Sequence, residues 1–485
     1  MADPVFTTML DEEMPLLVDA KKRTKRTPLP KLQIGIVLLL QVCEPITSQS
    51  IYPYINQLIS ELGVTGGDER KVGYYAGMIE SLFFLTEALT VLQWSRLSDH
   101  IGRKPVLLIG LMGTLISMIA FGVSTTFGAL VVSRCLTGLL NGNIGVMKSA
   151  MGELTDSTNR AEGFALMPVV WATGTTLGPL LGGTLARPHE RFPKYFDTQF
   201  WRKYPYLLPC LATGSFVLVS FFIALTWFKE TVPKRILRKR QGSDASAVTL
   251  VDAGKFEEHD AALPLRKLLV YPVVISVANY VSLAFLNICV NALLPLFLHM
   301  PIEIGGLGMG PPIIGATMAM YGLICGVLQA LFFAPAVRYF GTRTIVIIGM
   351  FCYIPLFALF PIISFVARTQ GVTWLVWALI GCILLLLAIM DTAYGCIFMY
   401  VTASAPTKHS LGATNGLSQT TVSFARAIGP ALSTSLFSWS VQRNVLGGYA
   451  VYAILAFVAF FATCLATLLP QKVWGDHESQ DLHDD

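Results

Sequence analysis

The chain has 485 residues, of which 54% are hydrophobic and only 13% charged, about half the charge of an ordinary soluble domain, which carries roughly 25%. Residues 1–31, 187–204, 229–267 and 470–485 hold 39 of the 65 charged residues, so the net charge of +5 comes from local clusters and not from a basic face. A soluble multi-domain enzyme, a disordered chain, a disulfide scaffold and a nucleic-acid binder are excluded, and an all-α polytopic membrane protein is predicted.

In chain order, residues 1–31 are a polar N-terminal tail with no apolar leader, which predicts no cleavable signal peptide. Within it, Glu12-x3-Leu16-Leu17 fits an acidic dileucine sorting signal, pointing to a vacuolar or endosomal membrane, with the plasma membrane as the alternative. Stretches long enough to cross a bilayer, about 20 mostly apolar residues each, then follow at 33–59, 72–93, 105–123, 127–150, 161–186 and 205–228, and after a break at 270–299, 312–338, 344–366, 373–401, 411–440 and 448–469. They are too long and too continuous for barrel strands. The break, 229–269, is the longest hydrophilic insert and carries the basic run 234–240. The expected organisation is thus a tail 1–31, a six-helix bundle 32–228, a cytosolic linker 229–269, a second six-helix bundle 270–470 and a tail 471–485. Placing the N-terminus in the cytosol puts 23 basic residues on that side and 9 on the other, the bias that orients membrane proteins; both termini are then cytosolic. Residues 187–204 resist this rule, with Arg187, Arg191, Lys194, Arg202 and Lys203 on the outer side.

The two halves echo each other. Arg134-x3-Gly138 is matched by Asp391-x3-Gly395, Gly178-Pro179 by Gly429-Pro430, and Gly102-Arg103 by Gly341-Thr342-Arg343, all in the same order. The pattern suggests a duplicated six-span unit.

Charges inside the spans are the strongest functional signal, because a charge at mid-bilayer costs about 2.5 kcal/mol or more and persists only when paired or facing a wet cavity. Glu44, Glu80, Glu87, Arg134, Asp391 and Arg426 lie well inside and are the candidates for proton coupling or substrate binding. Polar stripes accompany them at helical spacing: Gln41, Glu44, Ser48 and Tyr52 in the first span, Asn287 and Asn291 in the seventh, and Asn415, Gln419, Ser423 and Arg426 in the eleventh. Together they outline a polar central path. Pairing of Glu80 or Glu87 with Arg134 or Lys148 is the structural alternative. The surplus of acids over bases favours a neutral or cationic amphiphile as substrate.

Two further motifs bear on movement. Between the second and third spans, Trp94-Ser-Arg-Leu-Ser-Asp99-His-Ile-Gly102-Arg103-Lys104-Pro105 puts a carboxylate where the third span begins, favourable at a helix N-terminus, a glycine for a tight turn, and two cations facing the anionic leaflet or an acidic partner. In the fifth span, Gly174, Gly178, Pro179, Gly182 and Gly183 combine small residues four apart, which let helices approach, with a proline that kinks the helix. The same pattern serves equally as a plain packing face. Nine cysteines fall in apolar segments, and seven scattered histidines suggest no metal site. No phosphate-binding loop, H-E-x-x-H or C-x-x-C occurs, so neither an enzyme nor a cofactor is expected.

The loop motif resembles the G-x3-D-x2-G-R-[RK] signature of the major facilitator superfamily, with Ser95 in place of the leading glycine. The fifth-span motif resembles that of its antiporters. Cys43-Glu44-Pro45-Ile46 with Tyr52-Pro53, Trp94 and Tyr204-Pro205-Tyr206-Leu207-Leu208-Pro209 resemble the zinc-induced-facilitator-like branch of its twelve-span drug:proton antiporters. The resemblance covers roughly 31–470. It implies two pseudo-symmetric six-helix bundles around a central cavity, alternating access, a gate stabilised by bonds from the loop motif to the other half, and a carboxylate titrated during transport, for which Glu44 is the first choice. Small-molecule substrate, protons and the lipid bilayer are the implied partners, in a monomer that exports or sequesters a drug, metabolite or chelator. An uncoupled facilitator or a membrane sensor on the same scaffold is the alternative.

Overall fold

The computed structural model describes residues 27–155, 159, 166–231, 269–406 and 411–471. The sorting motif, the basic run 234–240 and most of the expected linker and tails lie outside them. Among the described residues the chain is helical: α1 (Lys31–Gln49), α2 (Tyr52–Glu61), α3 (Val72–Ile101), α4 (Arg103–Gly122), α5 (Phe127–Leu140), α6 (Asn143–Leu154), α7 (Met167–Leu185), α8 (Leu207–Trp227), α9 (Tyr271–His299), α10 (Pro311–Leu331), α11 (Phe333–Phe340), α12 (Thr342–Gln370), α13 (Trp374–Ala403), α14 (Leu411–Gln442) and α15 (Ala450–Ala466). Each expected span corresponds to one of these helices or to a consecutive pair. The first, fourth and eighth spans are interrupted, the fourth at Asn141–Gly142, where the backbone leaves helical geometry. The second span runs on as helix to Ile101, so Trp94 to Asp99 belong to its last turns and not to a loop.

Eight segments are by themselves long and apolar enough to cross a bilayer, and the remaining four fall short for visible reasons. Helix α15 has 17 residues. Helix α3 is apolar enough but bends by 42° between Val91 and Gln93, α7 is rich in glycine and threonine, and α14 carries the hydroxyl, amide and arginine side chains of its polar stripe. Those three helices, with α10, join the two halves. The most extensive helix contacts in the molecule are α7 against α10 and α3 against α14, and both cross between the halves.

The seam is built from small residues. A Cβ on Gly73 or Gly77 of α3 would strike Thr434, Ser438 or the Pro430 carbonyl of α14, and one on Gly183 or Gly315 would strike the facing backbone of α10 or α7. Ser81 accepts a 2.9 Å hydrogen bond from the Ala431 N–H, a donor freed because Pro430 interrupts the ladder nearby. Two other seam hydroxyls bond within their own helix, Thr434 to the Pro430 carbonyl at 2.8 Å and Ser433 to the same carbonyl at 3.2 Å, whereas that of Ser438 has no partner among the described residues.

The apolar core follows the seam. At the end where α2 meets α3, here the far end, buried Ile51, Ile59, Val72 and Ile79 belong to one cluster with Leu293, Phe297 and Ile314 of the other half. At the near end, where α1 begins, Ile34, Val37, Leu107, Met147, Val217 and Phe228 form a cluster of the first half alone. The halves are therefore joined through apolar packing at the far end.

Candidate functional site

Helix α1 is one residue per turn polar on its inner side, and Pro45 removes one backbone donor beside Glu44. Glu44 on α1, Glu87 on α3 and Lys148 on α6 come from the first half, and Arg426 on α14 from the second. They lie within electrostatic reach of one another, and all four are half-buried, so solvent reaches them. Asn141, at the break between α5 and α6, donates to Glu87 Oε1 at 3.0 Å and also reaches Glu44. Arg426 faces Tyr280 and Tyr394 and bonds to the latter, while Gln419 donates to the Tyr280 hydroxyl at 3.3 Å. The cluster is thus two carboxylates and two cations contributed by both halves.

Asp391 on α13 forms a second centre within the second half. Its Oδ1 accepts from Asn287 at 3.3 Å, and its Oδ2 accepts from the Tyr321 hydroxyl in a short bond and from the Cys325 thiol at 3.2 Å. Asn291 donates to Asn287 Oδ1 at 3.0 Å, and Gln329 to the Asp391 carbonyl at 3.1 Å. Asn287, Tyr321 and Cys325, the partners of this carboxylate, are all neutral.

A third centre pairs Glu80 on α3 with Arg134 on α5, both buried and facing each other. Ser48 and Tyr52 line the same space. Glu80 thus faces Arg134 with no ion pair within 4 Å among the described residues, whereas Glu87 bonds to Asn141 and faces Arg426 and Glu44. Of the other stripe residues, Gln41 is half-buried and its Oε1 has no partner among the described residues; Asn415 is exposed. Lys148, Asn141, Tyr280, Tyr394, Tyr321 and Cys325 complete these centres. Lys148 is visible in sequence as an intramembrane charge, and the others carry no signal there.

The loop motif departs from expectation in two ways. Asp99 ends α3 instead of opening α4; the carboxylate at the start of α4 is Glu230, which accepts from the N–H groups of Arg103 at 2.8 Å and Lys104 at 3.0 Å. Gly102 takes φ +104°, and a Cβ there would collide with that carboxylate. Lys104 Nζ donates to the carbonyls of Leu225 at 2.8 Å and Phe228 at 2.7 Å, capping the end of α8. Arg103 pairs with Asp99 at 2.7 Å and Glu153 at 2.9 Å and donates to Ser98 in a short bond. These three partners of Arg103 all belong to the first half. In the second half Arg343 donates to the Thr467 carbonyl at 2.5 Å, just past the end of α15. The last helix of each half is thus tied at the near end by a cation at the matching motif position.

The fifth-span motif is a packing surface on two sides. A Cβ on Gly174, Gly178 or Gly182 would strike α1 at Pro45, Ile46 or Ser50, whereas Gly183 and the Pro179 carbonyl meet α10 at Pro311 and Gly315. On the far side, Arg187 is met by Glu61 at 3.7 Å and by Glu190, and Arg202 by Asp197 at 2.5 Å, so two of the five cations that resist the orientation rule are neutralised locally.

The family model of the Major Facilitator Superfamily matches residues 37–430. Among curated relatives, the chain is 32% identical over 480 residues to the major facilitator-type transporter psiT2 of Psilocybe cyanescens, covering 91% of both chains. It is 29% identical to the multidrug transporter mfsB of Aspergillus fumigatus, over 94% of this chain and 85% of that one. It is 25% identical to Protein ZINC INDUCED FACILITATOR 1 of Arabidopsis thaliana, over 90% and 91%. Among solved structures, a bacterial homologue of the human lysosomal transporter Spinster superposes with a TM-score of 0.64 at 14% identity, covering 91% of this chain and 97% of that one.

Proposed function

The chain belongs to the major facilitator superfamily, and from that premise we propose that this multi-pass membrane transporter is a proton-coupled antiporter exporting or sequestering a small organic solute. The observation that carries the reading is the half-buried cluster of Glu44, Glu87, Lys148 and Arg426, drawn from both halves and reached by solvent while the far end is sealed. A proton antiporter needs a site that both halves grip and that exchanges one charge for another. A carboxylate that binds either a proton or a cationic substrate supplies that exchange, since a desolvated carboxylate without a counter-charge is unstable.

Within the cluster the acids and bases balance, two against two. That balance favours a substrate carrying both a cationic and an anionic or strongly polar group over the plain cation that the whole-chain surplus suggests. The relative mfsB is named as a multidrug transporter, which supports a small organic solute as cargo. The basic bias of the near-end segments supports a cytosolic near end with both termini inside, in a vacuolar, endosomal or plasma membrane. The far-end seal then supports a state open to the cytosol, and a monomer suffices because both halves of the site lie on one chain.

The test is proton flux in proteoliposomes carrying an internal pH dye, challenged with ethidium, a metal chelator, a zwitterionic amino acid and an organic anion. Proton movement opposite to a transported probe, abolished in Glu44→Gln, is the expected result. Transport of a probe with no proton movement would replace antiport with an uncoupled facilitator, and no transport at all with a sensor.

A further inference from the structure

Two cavities, one within the first half and one between the halves, share Ser48 and Arg134 as a common wall. The first includes Glu44 and Asn141. The second lies directly behind the far-end seam, with Gly77 and Glu80 of α3 on one side and Pro295 of α9 and Thr434 of α14 on the other. Its free volume of about 20 Å³ is room for about one water, and Glu80, Arg134, Ser48 and Asn56 are among the polar groups on its largely apolar wall.

Glu80 and Arg134 are 9% and 5% exposed. They face each other, yet Glu80 Oε1 and Arg134 Nε have no hydrogen-bond partner among the described residues. The guanidinium rests instead on aromatic faces, 4.9 Å from the Phe83 centroid and 5.9 Å from that of Phe121. A buried charge pair held apart is poorly compensated, so small changes in its protonation or hydration carry a large effect. The other ionisable groups turned toward the pair are the Cys289 thiol of α9, facing Glu80, and Tyr54, Cys135 and Cys210, facing Arg134; no second carboxylate is among them.

The place of Glu80 on α3 ties this charge to the seam. It follows Gly77, which abuts Thr434 and Pro430, by three residues and precedes Ser81, which accepts from Ala431. One helical turn therefore carries both the acid and the contacts that close the far end. We propose that Glu80 is a proton acceptor reached from the far side, with Arg134 as the counter-charge of its ionised form, and that the protonation of this pair sets whether the seam is sealed or open. One proton adds to the Glu80 carboxylate from far-side water and later leaves through the wall that the two cavities share. This deepens the proton-coupled reading and rests on it: Glu44 exchanges a proton for substrate, and Glu80 reads the far-side pH.

The experiment needs no substrate. Hydrogen–deuterium exchange of the full chain in lipid nanodiscs is measured on either side of neutrality and corrected for the intrinsic exchange rate, over peptides covering 72–82 and 429–440. The wild type is expected to change exchange over both segments, by about tenfold for each unit by which proton affinity differs between sealed and open states. Glu80→Gln is expected to abolish that pH response and Glu44→Gln to keep it. A wild-type seam indifferent to pH, or a wild-type response in Glu80→Gln, overturns the proposal and leaves the antiport reading to the flux measurement. Should Glu80→Gln fail to insert because Arg134 is left unpaired, the double variant Glu80→Gln/Arg134→Gln removes both charges and carries the same expectation.

Discussion

Replacing Gly77 with valine should wedge the far end open. A Cβ at this position would lie 2.7 Å from the Pro430 carbonyl oxygen and 3.0 Å from Ala431 Cα and would overlap the Thr434 hydroxyl. Two of these obstacles are backbone, so α14 itself must move, and valine adds two more methyl groups to the same gap. Overpacking of this kind costs roughly 1–3 kcal/mol, and the whole penalty falls on the sealed state because the open state has no facing helix. The sealed-to-open ratio should therefore drop roughly 5- to 150-fold. Spin labels attached through encoded amino acids at the exposed positions Glu69 and Glu303 report the distance across the far end by double electron–electron resonance. The expected result is growth of a longer-distance population in Gly77→Val, smaller in Gly77→Ala. Gly381→Ala is the control: its Cβ would meet nothing within 4 Å, and a mid-helix alanine gains about 0.5–1 kcal/mol over glycine without touching the seam. An unchanged distance distribution in Gly77→Val would refute the reasoning that small residues hold the seam.

Glu87→Gln, like Glu44→Gln, should stop the proton movement evoked by a transported probe, as read by the same pH dye, because both acids face Arg426. Arg103→Ala strips Glu153 of its 2.9 Å partner, a loss of about 1–3 kcal/mol that should lower the thermal unfolding midpoint by a few degrees. Lys104→Met and Arg343→Met each free the last helix of one half, and differential scanning fluorimetry should find two destabilisations of similar size, about 1 kcal/mol each; a large effect in one alone would contradict their equivalence. Asp391→Leu leaves Tyr321, Cys325 and Asn287 without their acceptor and should cost about 1–3 kcal/mol, whereas Asp391→Asn keeps an acceptor and should cost less in the same assay.

The spans were legible because their apolar length is dictated by the bilayer, and Glu44, Arg426 and Asp391 because charge within such stretches is costly enough to be informative by itself. What the chain does not announce is who meets whom. Asn141 enters the site only because the helix breaks beside it at Gly142, and an Asn-Gly pair inside an apolar run reads equally as a turn or as a tolerated defect. Tyr280, Tyr394 and Tyr321 look like ordinary core aromatics until their hydroxyls are seen against Arg426 and Asp391. The start of α4 is capped by Glu230, 127 residues beyond Arg103, so a local reading inevitably favoured nearby Asp99. The glycines of α7 could be assigned to close packing, but not divided between α1 and α10, since one helix face gives no hint of which neighbour it will find.

The self-bonded hydroxyls of the seam have one more consequence. Because Thr434 and Ser433 already spend their protons on their own helix, parting α3 from α14 breaks, among the described residues, the one bond from Ala431 to Ser81 and exposes the Ser438 hydroxyl, which has no partner while the seam is closed. Such a joint behaves as a repositionable adhesive does: it grips over area and peels without tearing.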